Sequence, residues 1–442
     1  MKTKNKLILG RSGDVCEYPW ATVAPGSALV LSGAKPRLDR IIKSTSALPS
    51  FEEKNKHARG LRWQRQAAAR ELMSGEKRTT RKGGFIRGEL VSRCMWSQLS
   101  KYVEGWKSKS GGAAHFRSVM TCGSVSMCPI CAAKITERRK QELESGVMAA
   151  HGLGLSVFMV TLTLQHSRRD TFQCVMSDLI KAIEKLRGRR AWSAIVAEYD
   201  IVGSVTALEV TYGLLHGWHP HKHILFFTRR QLTQENYDIL KSDIVSLYRA
   251  ILKKAGRGLS RNAIDVRGGD LGAADYIAKY GREPEDKKNK WSLAAEMTKA
   301  QVKISMTNDG HYTPFQLLDF YNAEDKKAGV LFREYARVMK GKRVLTWSRG
   351  LRDLLGLDVE KTDEEIAAEN DEKDSLPFAL LDAVAWRKAR NIPHDTLEAM
   401  RELSFDGFRD YMASKKIFIE PDELSALDVV TKRESIGKEV KP

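Results

Sequence analysis

The run His219-Pro220-His221-Lys222-His223-Ile224-Leu225-Phe226-Phe227 constrains this chain more than any other stretch. Its second half is branched and aromatic, the composition of a strand. Side chains alternate faces along a strand, so His221 and His223 project from the same side. A lone histidine is more often structural. Two imidazoles on one face, running into an apolar strand, instead suit a divalent ion. A third ligand follows from the segment before. Ser204 to Tyr212 reads as a strand, and Gly213-Leu214-Leu215-His216-Gly217-Trp218 as the link of a hairpin. With the turn centred on Leu215, Glu209 lies opposite His221 and faces the same way, and a slip of one residue would turn it away. Such a mixed nitrogen and oxygen set leaves open positions for a phosphate and suits Mg2+ or Mn2+.

The hairpin sits in a regular succession. Val157 to Leu164 reads as a strand, Thr171 to Arg187 as a helix, and Ile201 to Tyr212 and His219 to Thr228 as strands. Leu232 to Ala255 is a helix capped by Thr233, Ala263 to Val266 a short strand, and Asp270 to Tyr280 a helix. The order predicts an α+β fold with a central antiparallel sheet flanked by helices, not a doubly wound nucleotide fold. Residues 151–290 are expected to form this domain. A basic, flexible leader covers residues 1–84, a cysteine cluster and helix cover 85–150, and a mainly helical region covers 291–442. No phosphate-binding loop of the ATPase kind occurs, so no ATP-driven motor is evident.

Lysine and arginine number 74 against 55 acids, a net charge of +19 that favours a polyanionic partner. The longest apolar run, Leu155 to Leu164, is about half of what a membrane span needs, and Met1 to Val15 makes a poor signal peptide. Cys122, Cys128 and Cys131 crowd together, which points to a structural Zn2+ site in a reducing cytoplasm rather than to a disulfide framework. Cys128-Pro129-Ile130-Cys131 has knuckle spacing. Zinc takes four ligands, and the fourth lies between Cys94 and His115. Cys94 is preferred because its thiolate matches the other three.

Tyr276-Ile277-Ala278-Lys279-Tyr280 follows Asp270, which can cap a helix, and precedes Gly281, which can end one. Tyrosines four apart share a helical face. In isolation they would be read as core residues. Beside an ion, a phenolate can attack a phosphodiester and form a phosphotyrosine ester. Lys279 either balances phosphate charge or is simply solvated.

Together these motifs resemble the rolling-circle plasmid replication initiators, a branch of the HUH endonucleases. The resemblance spans Cys94 to Leu355. It is carried by Cys122-Gly123-Ser124-Val125 with Cys128 to Ile135, by Thr161-Leu162-Thr163-Leu164, and by Leu208 to Tyr212 with Gly217 to His223. Tyr276 to Tyr280 and Thr346 to Leu351 complete it. The resemblance implies a small antiparallel sheet with the ion on it and the tyrosine helix above. It implies an enzyme that recognises a plasmid origin, nicks one strand, keeps the 5′ phosphate on tyrosine and leaves a 3′ hydroxyl. Its partners would be origin DNA, double- and single-stranded, with a host helicase and DNA polymerase in the bacterial cytoplasm. Many plasmid members carry a glutamate where this chain has Tyr276. The paired tyrosines resemble initiators of single-stranded phages and related transposases. Two rivals are a zinc-dependent DNA-binding regulator without nicking activity and an HUH transposase.

Overall fold

The computed structural model describes residues 50–79, 85–109, 112–259, 263–268, 297–298, 311–369 and 375–419. In chain order these form α1 (Phe51–Ser74), β1 (Lys77–Thr79), β2 (Phe85–Arg87), β3 (Val103–Ser108), β4 (Ala114–Arg117) and α2 (Pro129–Gly152). Next come β5 (Ser156–Leu162), α3 (Phe172–Arg187), α4 (Arg190–Glu198), β6 (Ile201–Gly213), β7 (Gly217–Thr228), α5 (Gln234–Lys254) and β8 (Ile264–Gly268). Then follow β9 (His311–Tyr312), α6 (Pro314–Asn322), α7 (Lys326–Met339), β10 (Leu345–Trp347) and α8 (Leu351–Leu354). The last are α9 (Asp363–Ala368), β11 (Ser375–Leu381), α10 (Ala383–Ala389), α11 (Pro393–Glu402) and α12 (Phe405–Ser414). Two compact units result among the described residues, one continuous over 132–361 and one assembled from residues 50–131 and 362–419.

The continuous unit is built on an antiparallel sheet in the order β10-β6-β7-β5-β8, with β9 paired to the end of β6. Both faces are apolar over half of their length. Phe158, Val160, Leu162, Ile224 and Phe226 point to one side, where Leu179, Ile183, Ile244 and Tyr248 of α3 and α5 cover them. Met159, Val205, Ala207, Leu225 and Phe227 point to the other side, under Leu143, Val147 and Ala150 of α2. The helices start where the sequence provides a hydroxyl. Thr171 accepts from the Cys174 N–H, and Thr233 forms a reciprocal capping box with Asn236.

Part of the leader read as flexible is the 24-residue helix α1, started by a capping box between Ser50 and Glu53. The region after residue 291, read as mainly helical, does supply seven helices among its described residues but also β9, β10 and β11. β11 pairs with β3 in the three-stranded antiparallel sheet β11-β3-β4. Its Ser-Leu-Pro-Phe-Ala-Leu-Leu sequence lacks strict alternation, and the pairing shifts register between Pro377 and Ala379. Proline breaks the ladder there, which hid the strand from a periodicity reading. Among the described residues, no helix is long and apolar enough to cross a membrane.

Candidate metal centre

The β6–β7 hairpin closes through Leu214-Leu215-His216, with Gly213 paired to Gly217. Gly217 takes φ +76°, and a Cβ there would stand 3.1 Å from the Arg168 Cα, so only glycine fits this corner. The turn centre sets the register. Glu209 lies opposite His221, Ala207 opposite His223, and Thr211 opposite His219. All six side chains share one face of the sheet, the face that carries the α2 core further along.

On that face one carboxylate oxygen of Glu209 meets two imidazoles, His221 Nε2 at 2.8 Å and His223 Nε2 at 2.9 Å. Ala207 makes this possible, because a small side chain beside His223 lets Glu209 reach it diagonally. Glu209 and His223 are buried, and His221 is nearly so. The far nitrogen of His223, Nδ1, contacts the Thr161 hydroxyl at 2.9 Å. Thr163 donates to the Pro220 carbonyl, also at 2.9 Å, just beyond Leu162↔Lys222, where the β5–β7 ladder ends. The Thr161-Leu162-Thr163 motif thus buttresses the histidine strand. The donor atoms of Glu209, His221 and His223 lie within 4.8 Å of one another and could hold a metal ion. Two observations fit such an ion: His221 Nδ1 is buried without a hydrogen-bond partner, and His223 is held at its outer nitrogen by a hydroxyl, as ligating imidazoles are.

Sequence reasoning passed over His219, although its parity matches His221 and His223. Its ring stands 5.2 Å from that of His221, and its Nδ1 lies 2.6 Å from Nε2 of His166 in the loop after β5. Burial, and then the neighbouring His221, His166 and His311, push its pKa down to about 3, so it is neutral. Glu334 on α7 was also missed. It accepts from Trp218 Nε1 and from the Phe172 backbone N–H, both at 2.9 Å, and so ties the hairpin end to the start of α3. No local pattern marks it, since its two partners are far away in sequence.

The second group that could hold a metal ion is in the discontinuous unit. Cys94, Cys122, Cys128 and Cys131 are all buried, with Cys94 Sγ 3.5 Å from both Cys128 and Cys131. The structure brings Cys94, not His115, to the other three; His115 sits on β4 opposite Trp106. Cys128 immediately precedes α2 and Cys131 lies in its first turn, where the helix dipole favours negative charge. Burial, and then contacts with the neighbouring thiols, raise the Cys128 thiol, while hydrogen bonds from Cys122 and Cys128 lower that of Cys131. Gly123 has φ +63°, and a Cβ there would lie 2.8 Å from the Glu364 Cα. Glycine is therefore required within the cysteine block itself.

Tyr276, Lys279 and Tyr280 lie outside the described residues.

The molecule thus combines an antiparallel sheet bearing a Glu-His-His group on one face with a separate four-cysteine group. The family model described as "Replication protein" matches residues 114–392. Protein rep of Streptomyces lividans is 26% identical over 368 residues, covering 67% of this chain and 76% of that protein. A neomycin resistance protein of Streptomyces cyanogenus is 27% identical over 144 residues, covering 26% of this chain and 32% of that protein. No solved structure matches. The chain belongs to the replication protein (Rep) family, and its role is in plasmid replication.

Proposed function

We propose that the protein initiates rolling-circle replication as an HUH-type, sequence-specific single-strand endonuclease and strand transferase. The observation that carries this reading is the Glu209-His221-His223 group on one face of a hairpin in a replication protein. Mg2+ or Mn2+ held there would supply positive charge to the oxygens of the scissile phosphate. The remaining chemistry falls to tyrosine. The Tyr280 oxygen attacks phosphorus, the bond to the 3′ oxygen breaks, and that oxygen takes a proton and becomes a 3′-OH primer. The 5′ phosphate stays on Tyr280, whose phenolic proton passes to solvent. Lys279 balances phosphate charge. A full round needs a second transfer, and Tyr276, one helical turn earlier in the expected helix, is the proposed second nucleophile. The four cysteines would hold a structural Zn2+. The catalytic domain is taken as residues 151–290. Origin DNA, duplex and single-stranded, is the substrate, with a host helicase and polymerase acting downstream in the bacterial cytoplasm.

The test is mass spectrometry of the protein after incubation with a single-stranded origin oligonucleotide and Mg2+ or Mn2+. The expected result is an adduct on the peptide bearing Tyr280, lost in Tyr280→Phe and in the His221→Ala/His223→Ala double variant. Tyr276→Phe should still form it but fail to release closed single-stranded circles. A protein that binds origin DNA without forming any adduct is a regulator, and the proposal is then wrong.

A further inference from the structure

We infer that Arg70 and Arg390, packed over the Trp96 ring in the unit that holds the four cysteines, grip the phosphate backbone of duplex DNA. The inference deepens the reading above, in which origin DNA is the substrate, by naming where the duplex is held.

Three separate segments deliver the three side chains. Arg70 leaves α1 one turn after Gln66, on the same face. Gln66 is buried and donates to the Val91 carbonyl, so this face of α1 packs on the turn that leads to Trp96. Arg390 follows Trp386 by four residues, at the C-terminal end of α10. Trp386 is fixed: it is buried against Phe116 and donates to the Trp96 carbonyl at 3.1 Å. The guanidinium carbons of Arg70 and Arg390 come to rest 3.8 and 4.2 Å from the centre of the Trp96 ring. All three side chains remain partly exposed.

What these two cations lack is an acid. On the same helix, Arg59 bonds Glu398 and Glu52, and the Glu398 bond above all holds it above its ordinary value. Arg70 makes no hydrogen bond or ion pair with any described residue. Burial, and then the charge of Arg390, lower its pKa. Arg390 reaches only the Trp96 carbonyl, through Nη1 at 3.5 Å, and its Nε is buried without a partner. Two like charges on one indole repel, and a cation–π contact returns little beside an ion pair. A brace for the unit would be served by one arginine, or by an acid–base pair of the Arg59–Glu398 kind.

Packing on the ring also decides what can be bound. A guanidinium held through its face keeps its N–H donors in the plane, directed past the ring edge. That fork matches two oxygens of a phosphate, and the ring contact has already ordered the side chain. The indole itself is occupied, so it offers no bare platform to an unstacked base of the kind single-strand sites use. A backbone contact without base readout fits these donors, and the net charge of +19 supplies the long-range attraction.

The test is fluorescence anisotropy of full-length protein with a labelled linear duplex of arbitrary sequence, over a KCl series and without added Mg2+ or Mn2+. No nicking step enters, so the result is independent of any adduct on Tyr280. Log affinity falls with log salt concentration by about 0.9 per phosphate neutralised. Arg70→Gln and Arg390→Gln should each flatten that slope by about 0.9. The double variant should bind the duplex roughly tenfold more weakly or worse. Lys54→Gln removes an exposed charge elsewhere on α1 and should leave the slope as it is. An equal flattening there would mean diffuse charge and overturn the inference. Thermal melts and metal content show whether each variant is folded. If the glutamine variants unfold, Arg70→Lys and Arg390→Lys decide. They keep the charge and the ring contact but lose the fork, so duplex binding should weaken. Folded glutamine variants with the wild-type slope, or in their absence lysine variants with the wild-type affinity, make the stack a brace, and the inference is wrong. Flattening for a labelled single strand but not for the duplex would also overturn it. Slopes that flatten as expected, in a protein that forms no adduct by mass spectrometry, remove the nicking reading and leave this one standing.

Discussion

At the scale of single residues, the centre depends on a side chain with no functional group. Ala207 is almost fully buried opposite His223, and its small volume leaves the diagonal that Glu209 crosses to reach that histidine. Ala207→Leu fills the diagonal. Overpacking of this kind costs about 1–3 kcal/mol, and the displaced carboxylate loses one of its two imidazoles. The expected outcome is a protein that still folds, with a lower melting temperature and Mn2+ affinity reduced at least tenfold. Ala207→Gly should keep most of the affinity. Calorimetric titration of both variants checks this, and an Ala207→Leu protein that binds Mn2+ normally would contradict it.

At the scale of elements, what was legible followed from local pattern. The β6–β7 register could be read because a turn centred on Leu215 fixes it, and α3 and α5 start at the threonines that cap them. Cys94 could be preferred over His115 because zinc takes four ligands and a thiolate matches the other three. What escaped was long-range. β11 was hidden by Pro377, and among the partners of α1 is one more than three hundred residues away, which no local pattern signals. Arg59 on α1 makes a two-pronged pair with Glu398 on α11, at 2.7 and 2.9 Å. Glu398 is buried, and burial alone would raise its pKa, but the Arg59 bonds outweigh that and hold it below the usual carboxylate range. Arg59→Ala should cost about 2 kcal/mol, since it strips a charged partner from a buried carboxylate. The pH dependence has a definite sign. A lowered folded-state pKa contributes stability at neutral pH that is lost as pH falls through it. Glu398→Gln should therefore start less stable at pH 7 and lose less on acidification than wild type. Thermal melts of the two proteins at neutral and acid pH would show it.

At the scale of the whole molecule, the unit with the four cysteines depends on the end of the sequence. Glu364 closes over Gly123. Trp386 donates its indole N–H to the carbonyl of Trp96, two residues past Cys94, at 3.1 Å. Arg390 and Arg70 lie over the Trp96 ring at 4.2 and 3.8 Å. A chain stopped after residue 361 keeps every strand of the β10-β6-β7-β5-β8 sheet but leaves β3 without β11. Such a protein should retain Mn2+ binding at the histidines and lose most of the metal held by the cysteines, which elemental analysis of the purified truncation would reveal.

The split ordering of that unit also has a consequence in time. All four cysteines are made before residue 132, whereas β11 begins only at Ser375. At roughly 5–20 residues per second, the thiols wait on the order of tens of seconds for the strand that completes their unit. During that interval they meet metal, oxidant and one another without their final enclosure. On the structural-zinc reading proposed above, free zinc then competes with oxidants for these thiols on the ribosome before β11 arrives.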